Sequence, residues 1–288
     1  GNVLIGSVSR LYMSNKCLLI ADHKSVDKQI HIFNKNDFSY LTSIGNFGEG
    51  PEEITVMGCL AIDEAHHQLY VSDHAKQKIF SYDMDSVMVD SLYKPQVKTA
   101  MNETLFPSEY QYINDTLSIA VLIKPTSTST FNQFLGRWNM NTGEMIPMKY
   151  THPDIQKKRI TFAASEKAGI YVECYTRHDL MTICSLDGEL LYNIYGPDWD
   201  GGNGNKLQSF GTVMIGNDKI FVSYCGEDYA RDSFPTKILV FDLEGNYLKT
   251  LETGYKISDC CYDSFNNRII LSLNDVVQFA YLDIDGII

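Results

Sequence analysis

The chain has 288 residues, 44% of them apolar and 21% charged, and a formal net charge of −12. These proportions supply a sizeable core and exclude disorder and collagen. The acidic balance disfavours nucleic acid, because no basic excess is present to neutralise phosphates. Length alone allows two domains of about 150 residues each, but large all-β folds exceed that size as single units.

The chain opens Gly1-Asn2-Val3, without an initiator Met or a basic leader, as expected where a leader has been removed or a residue appended. No run approaches the roughly 18 consecutive apolar residues of a membrane helix. The densest runs, 17–21 and 119–123, have strand length.

From the N-terminus, residues 17–41 and 68–92 share one phrase. An apolar strand ends in Asp-His, a polar turn follows, then a second apolar strand, a tight polar turn and a further strand. The phrase returns in weaker form four more times. The residue that opens the tight turn marks the period: Asn34, Asp83, Asn139, Ser185, Asp242 and Asp283, spaced on average about 50 residues apart. Each unit divides into four short runs rich in Val, Ile, Tyr and Phe, separated by Gly, Asn, Asp and Ser. In the fifth unit the predicted strands are 209–215, 219–224, 237–241 and 247–251. Asn141-Thr142-Gly143, Asp187-Gly188, Glu244-Gly245-Asn246 and Asp285-Gly286 supply the residues that tight hairpins require. No amphipathic helix of twelve residues is found; only 51–54 and 154–158 suit a helical turn.

The expected fold is therefore all-β, a six-bladed β-propeller of four-stranded antiparallel blades, forming one domain over residues 1–288. The last unit runs out after its third strand, so its outer strand is expected to be very short or to come from residues 2–5. The seven cysteines (17, 59, 174, 184, 225, 260 and 261) lie in apolar runs without zinc-like spacing, and are expected buried and free. Cys260 and Cys261, as strand neighbours, point to opposite faces.

Leu4-Ile5-Gly6, LLIAD at 18–22, GNFGEGPEE at 45–53, AID at 61–63, LYVSD at 69–73 and KIFSYD at 78–83 resemble the opening of a six-bladed propeller family of Bacteroides-type bacteria. That family is related to NHL-repeat and TolB-like propellers. Glu52 stands where its G-P-G-E phrase often has Gly. The resemblance implies export to the periplasm or cell surface, often through a lipidated cysteine upstream. It supplies no catalytic residues.

In four-stranded antiparallel blades, successive connections alternate between two faces. One face collects the long connections: 45–53, 93–107, 150–157 and 196–207 between blades, and 23–28, 124–130, 175–179 and 226–235 within them. On the other face the connections are short. A site is expected on the long-connection face, at the mouth of the central channel.

Four groups there have chemistry to offer. His23 and His74 follow Asp22 and Asp73 at equivalent places; either they present two imidazoles to a ligand or metal, or the aspartates bind their own turns and the histidines are exposed. Tyr175, Arg177 and His178, with Asp179, are the types of a carboxylate or phosphate clamp. Glu227, Asp228 and Arg231 suit a cation or a sugar. Trp199, between Asp198 and Asp200, suits an aromatic platform for a sugar ring, or packing over the adjacent blade. The glycine runs at 45–50 and 201–204 are not phosphate loops, and no complete calcium loop or hydrolase motif occurs.

The expected function is a non-enzymatic binding or scaffold protein of the cell envelope that presents this face to a glycan, peptide or protein. The alternative is a lactonase-like hydrolase or lyase with a divalent cation, calcium in the first instance, held by carboxylates such as Asp200, Glu227 or Asp228. No other cofactor is expected.

Overall fold

The computed structural model describes residues 3–7, 9–204, 207–228 and 233–288. Six antiparallel sheets follow one another along the chain, each built from strands in sequence order. The first holds β1 (Ser9–Met13), β2 (Cys17–Asp22), β3 (Lys28–Asn34) and β4 (Tyr40–Asn46). The second holds β5 (Met57–Asp63), β6 (Gln68–Asp73), β7 (Lys78–Asp83) and β8 (Gln96–Ala100), and the third β9 (Phe106–Asn114), β10 (Leu117–Pro125), β11 (Phe131–Trp138) and β12 (Met145–Pro147). The fourth holds β13 (Ile160–Ser165), β14 (Ile170–Tyr175), β15 (Leu180–Ser185) and β16 (Leu190–Tyr195), and the fifth β17 (Leu207–Gly216), β18 (Lys219–Asp228), β19 (Lys237–Asp242) and β20 (Tyr247–Glu252). The sixth holds three strands, β21 (Ile257–Asp263), β22 (Arg268–Leu273) and β23 (Phe279–Asp283). These are the blades of a six-bladed β-propeller, with the period read from the turns. The chain divides into two compact units, Gly1–Pro147 with blades one to three and Met148–Ile288 with blades four to six.

Within each unit a blade is buried on both faces, and its middle strands show it. All six residues of β2 are buried. In β6, Leu69 and Val71 join Leu19, Ile30 and Ile32 of blade one in a core, while Tyr70, pointing the other way, packs with Tyr110, Tyr112 and Leu122 of blade three. In the second unit, Val222 faces blade four and Phe221 faces blade six. Burying one such side chain is worth roughly 1.5–3 kcal/mol. This is why the second strands read as continuous apolar runs rather than alternating ones. All seven cysteines are buried and free.

The turn anchors close the turns that their positions suggest. Asn34 accepts from Asn36 N, Asn139 from Asn141 N, Asp242 from Glu244 N and Asp283 from Asp285 N, at 2.8–3.0 Å. Each side chain thereby fixes the turn that follows the third strand. Gly143 and Gly245 complete two of these turns at φ of +79° and +82°.

Two expectations fail. The run after Asp83 is not a strand but a helix, α1 (Met84–Val89), because Asp83 caps it by accepting from Ser86 N at 2.8 Å, and Val87 turns into the core shared by blades one and two. The fourth strand of blade two is β8, inside what reads as a long connection over 93–107. The short-connection face thus carries one long excursion, 84–95. The sixth sheet also gains no fourth strand among the described residues: residues 3–6 form none, and Gly6 N instead donates to Asp22 Oδ2 at 2.8 Å.

The aspartate ending the second strand is a further tie. Asp73, fully buried, accepts from Thr55 N and Val56 N of the connection leading into its blade, from Ala75 N of its own turn and from Lys76 Nζ. Burial alone would raise its carboxyl, but these bonds outweigh it and hold it below the usual 3.8.

Two outcomes are expected. Asp83→Ala should cost about 1 kcal/mol, read by calorimetry as a fall of a few degrees in Tm, with Asp83→Asn close to wild type. Because the folded pKa of Asp73 lies below the unfolded one, its contribution is complete above about pH 4 to 5 and is lost as pH falls through the folded value. Urea unfolding across that range should show a shallower acid limb in Asp73→Asn; equal limbs would remove Asp73 as a source of it.

Candidate functional site

The connections of blade four bring half of the expected residues together: Tyr175, Arg177, His178, Trp199 and Asp200. Residues 157–159 lead into β13 as three consecutive cations, and they part company. Lys158 turns inward to a buried ion pair with Glu173, Nζ to Oε1 2.8 Å, whose other oxygen accepts from Tyr175 Oη at 3.1 Å. Lys157 and Arg159 instead line a pocket of about 520 Å³ with Thr176, Arg177, His178, Asn203, Gly204 and Gln208. Thr176 N donates to Arg159 O and Ser209 N to Thr176 O, so backbone ladders fix both sides of the pocket. Burial lowers the Arg159 pKa, and the neighbouring charge of Arg177 adds to that effect. Three positively charged side chains thus line one cavity in an acidic chain.

Behind the pocket lies an aromatic group. Trp199 stands half-buried among His152, Tyr195 and His178, with centroids at 5.3, 5.0 and 6.1 Å, and Tyr175 packs edge-on to His178 at 5.9 Å. Trp199 therefore packs within its own blade, against the Ile155, Tyr175 and Leu180 cluster. His152 Nδ1 accepts from Asp154 N, which places its proton on Nε2, donated to Tyr195 Oη at 2.9 Å. Burial pushes the buried His178 below the ordinary histidine value, with Asp200 working against it, and both His178 Nδ1 and Asp200 Oδ1 are buried without a hydrogen-bond partner among the described residues. Asp179, buried beside them, accepts from Asp198 N at 2.9 Å and Tyr224 Oη at 3.3 Å, and burial raises its pKa.

The remaining candidates lie elsewhere. Glu227 is exposed on β18, paired across the sheet with Gln208. Arg231 lies outside the described residues, as does the side chain of Asp228. His23 and His74, both half-buried rather than exposed, converge on Gly58 in the first unit. His23 Nε2 bonds Gly58 O at 3.2 Å, and a Cβ at Gly58 would fall 2.3 Å from His74 Nε2. Burial lowers the pKa of both imidazoles. Next to them, Arg10 on β1 forms a two-bonded pair with Glu109 on β9, the first strands of blades one and three. Neither was singled out from the sequence, although a lone charge inside an otherwise apolar first strand is the signal that marks Arg10.

Of the carboxylates expected to hold calcium, Asp200 sits in the aromatic group and Glu227 on the exposed strand, and the side chain of Asp228 lies outside the described residues. Among the described residues, the group of ligand types close enough for a cation is Asp63, His66 and Asp115, with ligand atoms within 4.8 Å of one another. Asp63 Oδ2 already takes His66 Nδ1 at 2.8 Å and Tyr70 Oη at 2.7 Å. The same turn in blade six has Asn266 bonded to Asp263 in that role, which makes the arrangement a turn closure first.

No curated protein matches the chain. Among solved structures, a DUF4221 family member from Bacteroides vulgatus is 9% identical with a TM-score of 0.60, over 96% of this chain and 92% of that one. The β-propeller domain of Myceliophteria thermophila Cps50 (Swd1) is 10% identical, TM-score 0.60, over 97% of each. The structure of U3-55K is 11% identical, TM-score 0.61, over 94% and 90%. At these identities the likeness is one of fold. Residues 1–135 match the family model DUF5128, described as a 6-bladed beta-propeller, in line with the resemblance of the opening phrases.

Proposed function

We propose that this chain is a non-enzymatic binding protein of the bacterial cell envelope that takes an anionic ligand on the long-connection side of blade four. The observation that carries the reading is the pocket walled by Lys157, Arg159 and Arg177. A chain of net charge −12 repels anions on average. Guanidinium groups collected in one cavity therefore suit local recognition of a carboxylate or phosphate, which their forked donors match. The propeller architecture, which the chain shares with the WD40 repeats of RRP9 and with a Bacteroides propeller, supports a binding or scaffold role. The envelope location, and kinship with NHL-repeat and TolB-like propellers, rest on the opening phrases. A glycan, peptide or protein that carries a carboxylate or phosphate suits these cations.

The test is calorimetric titration with glucuronate, galacturonate, phosphate, sulfate and acetate at low and at physiological salt. At least one anion should bind, more weakly at the higher salt. Arg159→Gln and Arg177→Gln should each weaken binding by tenfold or more, since a hydrogen bond to a charged group is worth about 1.5–3 kcal/mol, with Tm as the control for folding. Binding to none of the anions, or binding indifferent to both arginines, would overturn the reading.

A further inference from the structure

Gln208 lines a second cavity as well. On its far side a pocket of about 610 Å³ opens between blades five and six, walled by Thr212, Ser223, Phe234, Ser258 and Asn274 among others, with no charged residue in its lining among the described residues. The floor between the two pockets is β17, and its ladder is irregular there. Gln208 pairs with Glu227, the next pair is Phe210 with Tyr224, and the next Val213 with Val222, which leaves Gly211 and Thr212 out of register. Thr212 N donates to Ser223 Oγ at 2.8 Å in place of a ladder bond. A Cβ at Gly211 would stand 2.4 Å from Ser223 Oγ, so a side chain there would fill the floor. Bulges of this kind re-aim a strand beside binding sites.

The two pockets differ in chemistry. The first is cationic; the second offers hydroxyls and an amide around the half-buried ring of Phe234, the groups that hydrogen-bond a sugar's hydroxyls and cover the face of its ring. From Gln208 to Thr212 the bulged strand spans up to about 13 Å at roughly 3.3 Å per residue, more than a single small anion covers. A ligand charged along its whole length would place a second charge where no cation lines the wall among the described residues.

We infer that the ligand is an oligosaccharide carrying one terminal uronic acid, with its carboxylate in the pocket of Lys157, Arg159 and Arg177 and its neutral sugars across Gln208 in the pocket of Phe234. The inference rests on the anion-binding reading above and adds to it the second pocket and the class of ligand.

The experiment compares, by calorimetry, glucuronate, an aldotriouronic acid (one glucuronic acid linked to two xyloses), xylotriose, trigalacturonate and an acidic phosphopeptide. The aldotriouronic acid should bind at least tenfold more tightly than glucuronate, and more tightly than the other three. Phe234→Ala should return it to the affinity of glucuronate while leaving glucuronate itself unchanged, and Phe234→Tyr should restore the difference. Arg177→Gln should weaken both acids alike. If glucuronate binds through the arginines but the trisaccharide gains nothing, or if trigalacturonate or the phosphopeptide binds best, this inference falls and the anion-binding reading stands. If none of these ligands binds but phosphate, sulfate or acetate does, this inference falls and the anion-binding reading stands; if no anion of either set binds, both fall.

Discussion

The constraint on which this structure depends is that the middle blade of each unit has no free face. An ordinary surface sheet buries alternate residues, but the middle strands of blades two and five meet a neighbouring blade on each side, so consecutive residues are buried and most of them are apolar. Leu69 and Val71 face one core while Tyr70 between them faces another. The polar residues are then pressed into the few positions where backbone needs satisfying. Asp73 ties together the connection into its blade and the turn out of it, and Asp22 holds Gly6 N and Lys24 N in the same manner. Burial without such partners would cost each carboxylate far more than the contacts return.

Blade number and most strands were legible because their signals are local. Asn34, Asn139, Asp242 and Asp283 each bond a backbone N–H two residues on, so residue type alone marks the turn, and the period follows from counting. The misreading after Asp83 has the same root. An aspartate before Met84-Asp85-Ser86-Val87 suits a hairpin turn and a helix cap equally, and the choice falls to the burial of Val87, which is a tertiary contact. The sixth blade fails for a related reason: Gly6 N finds its acceptor in the Asp22 side chain, a partner no strand pattern announces.

The site was half legible. Arg177, His178 and Trp199 stand out by residue type in long connections, and the fold does bring them into one region. The sequence could not separate Lys157 and Arg159 from Lys158, three adjacent cations of which the middle one is taken up by Glu173 in the interior. Nor could it tell that Trp199 would be held by His152 and Tyr195 rather than stand as a platform. His152 lies in the connection before β13, far from Trp199 along the chain, and is fixed by Asp154 N and Tyr195 Oη; the second of these contacts exists only once β16 has closed the blade. The Arg10–Glu109 pair is the same case in the first unit, since its partners are 99 residues apart.

The buried cysteines have a consequence for the chemistry of the chain as a whole. Thiolate is the form that attacks disulfides and oxidants. Burial pushes the Cys59 thiol up to about 12 and Cys184 to about 11, and raises Cys174, Cys260 and Cys261 well above their ordinary value. A folded chain with seven thiols therefore offers almost no reactive sulfur. Burial and the raised thiol pKa values thus act together against cross-linking while the chain is folded.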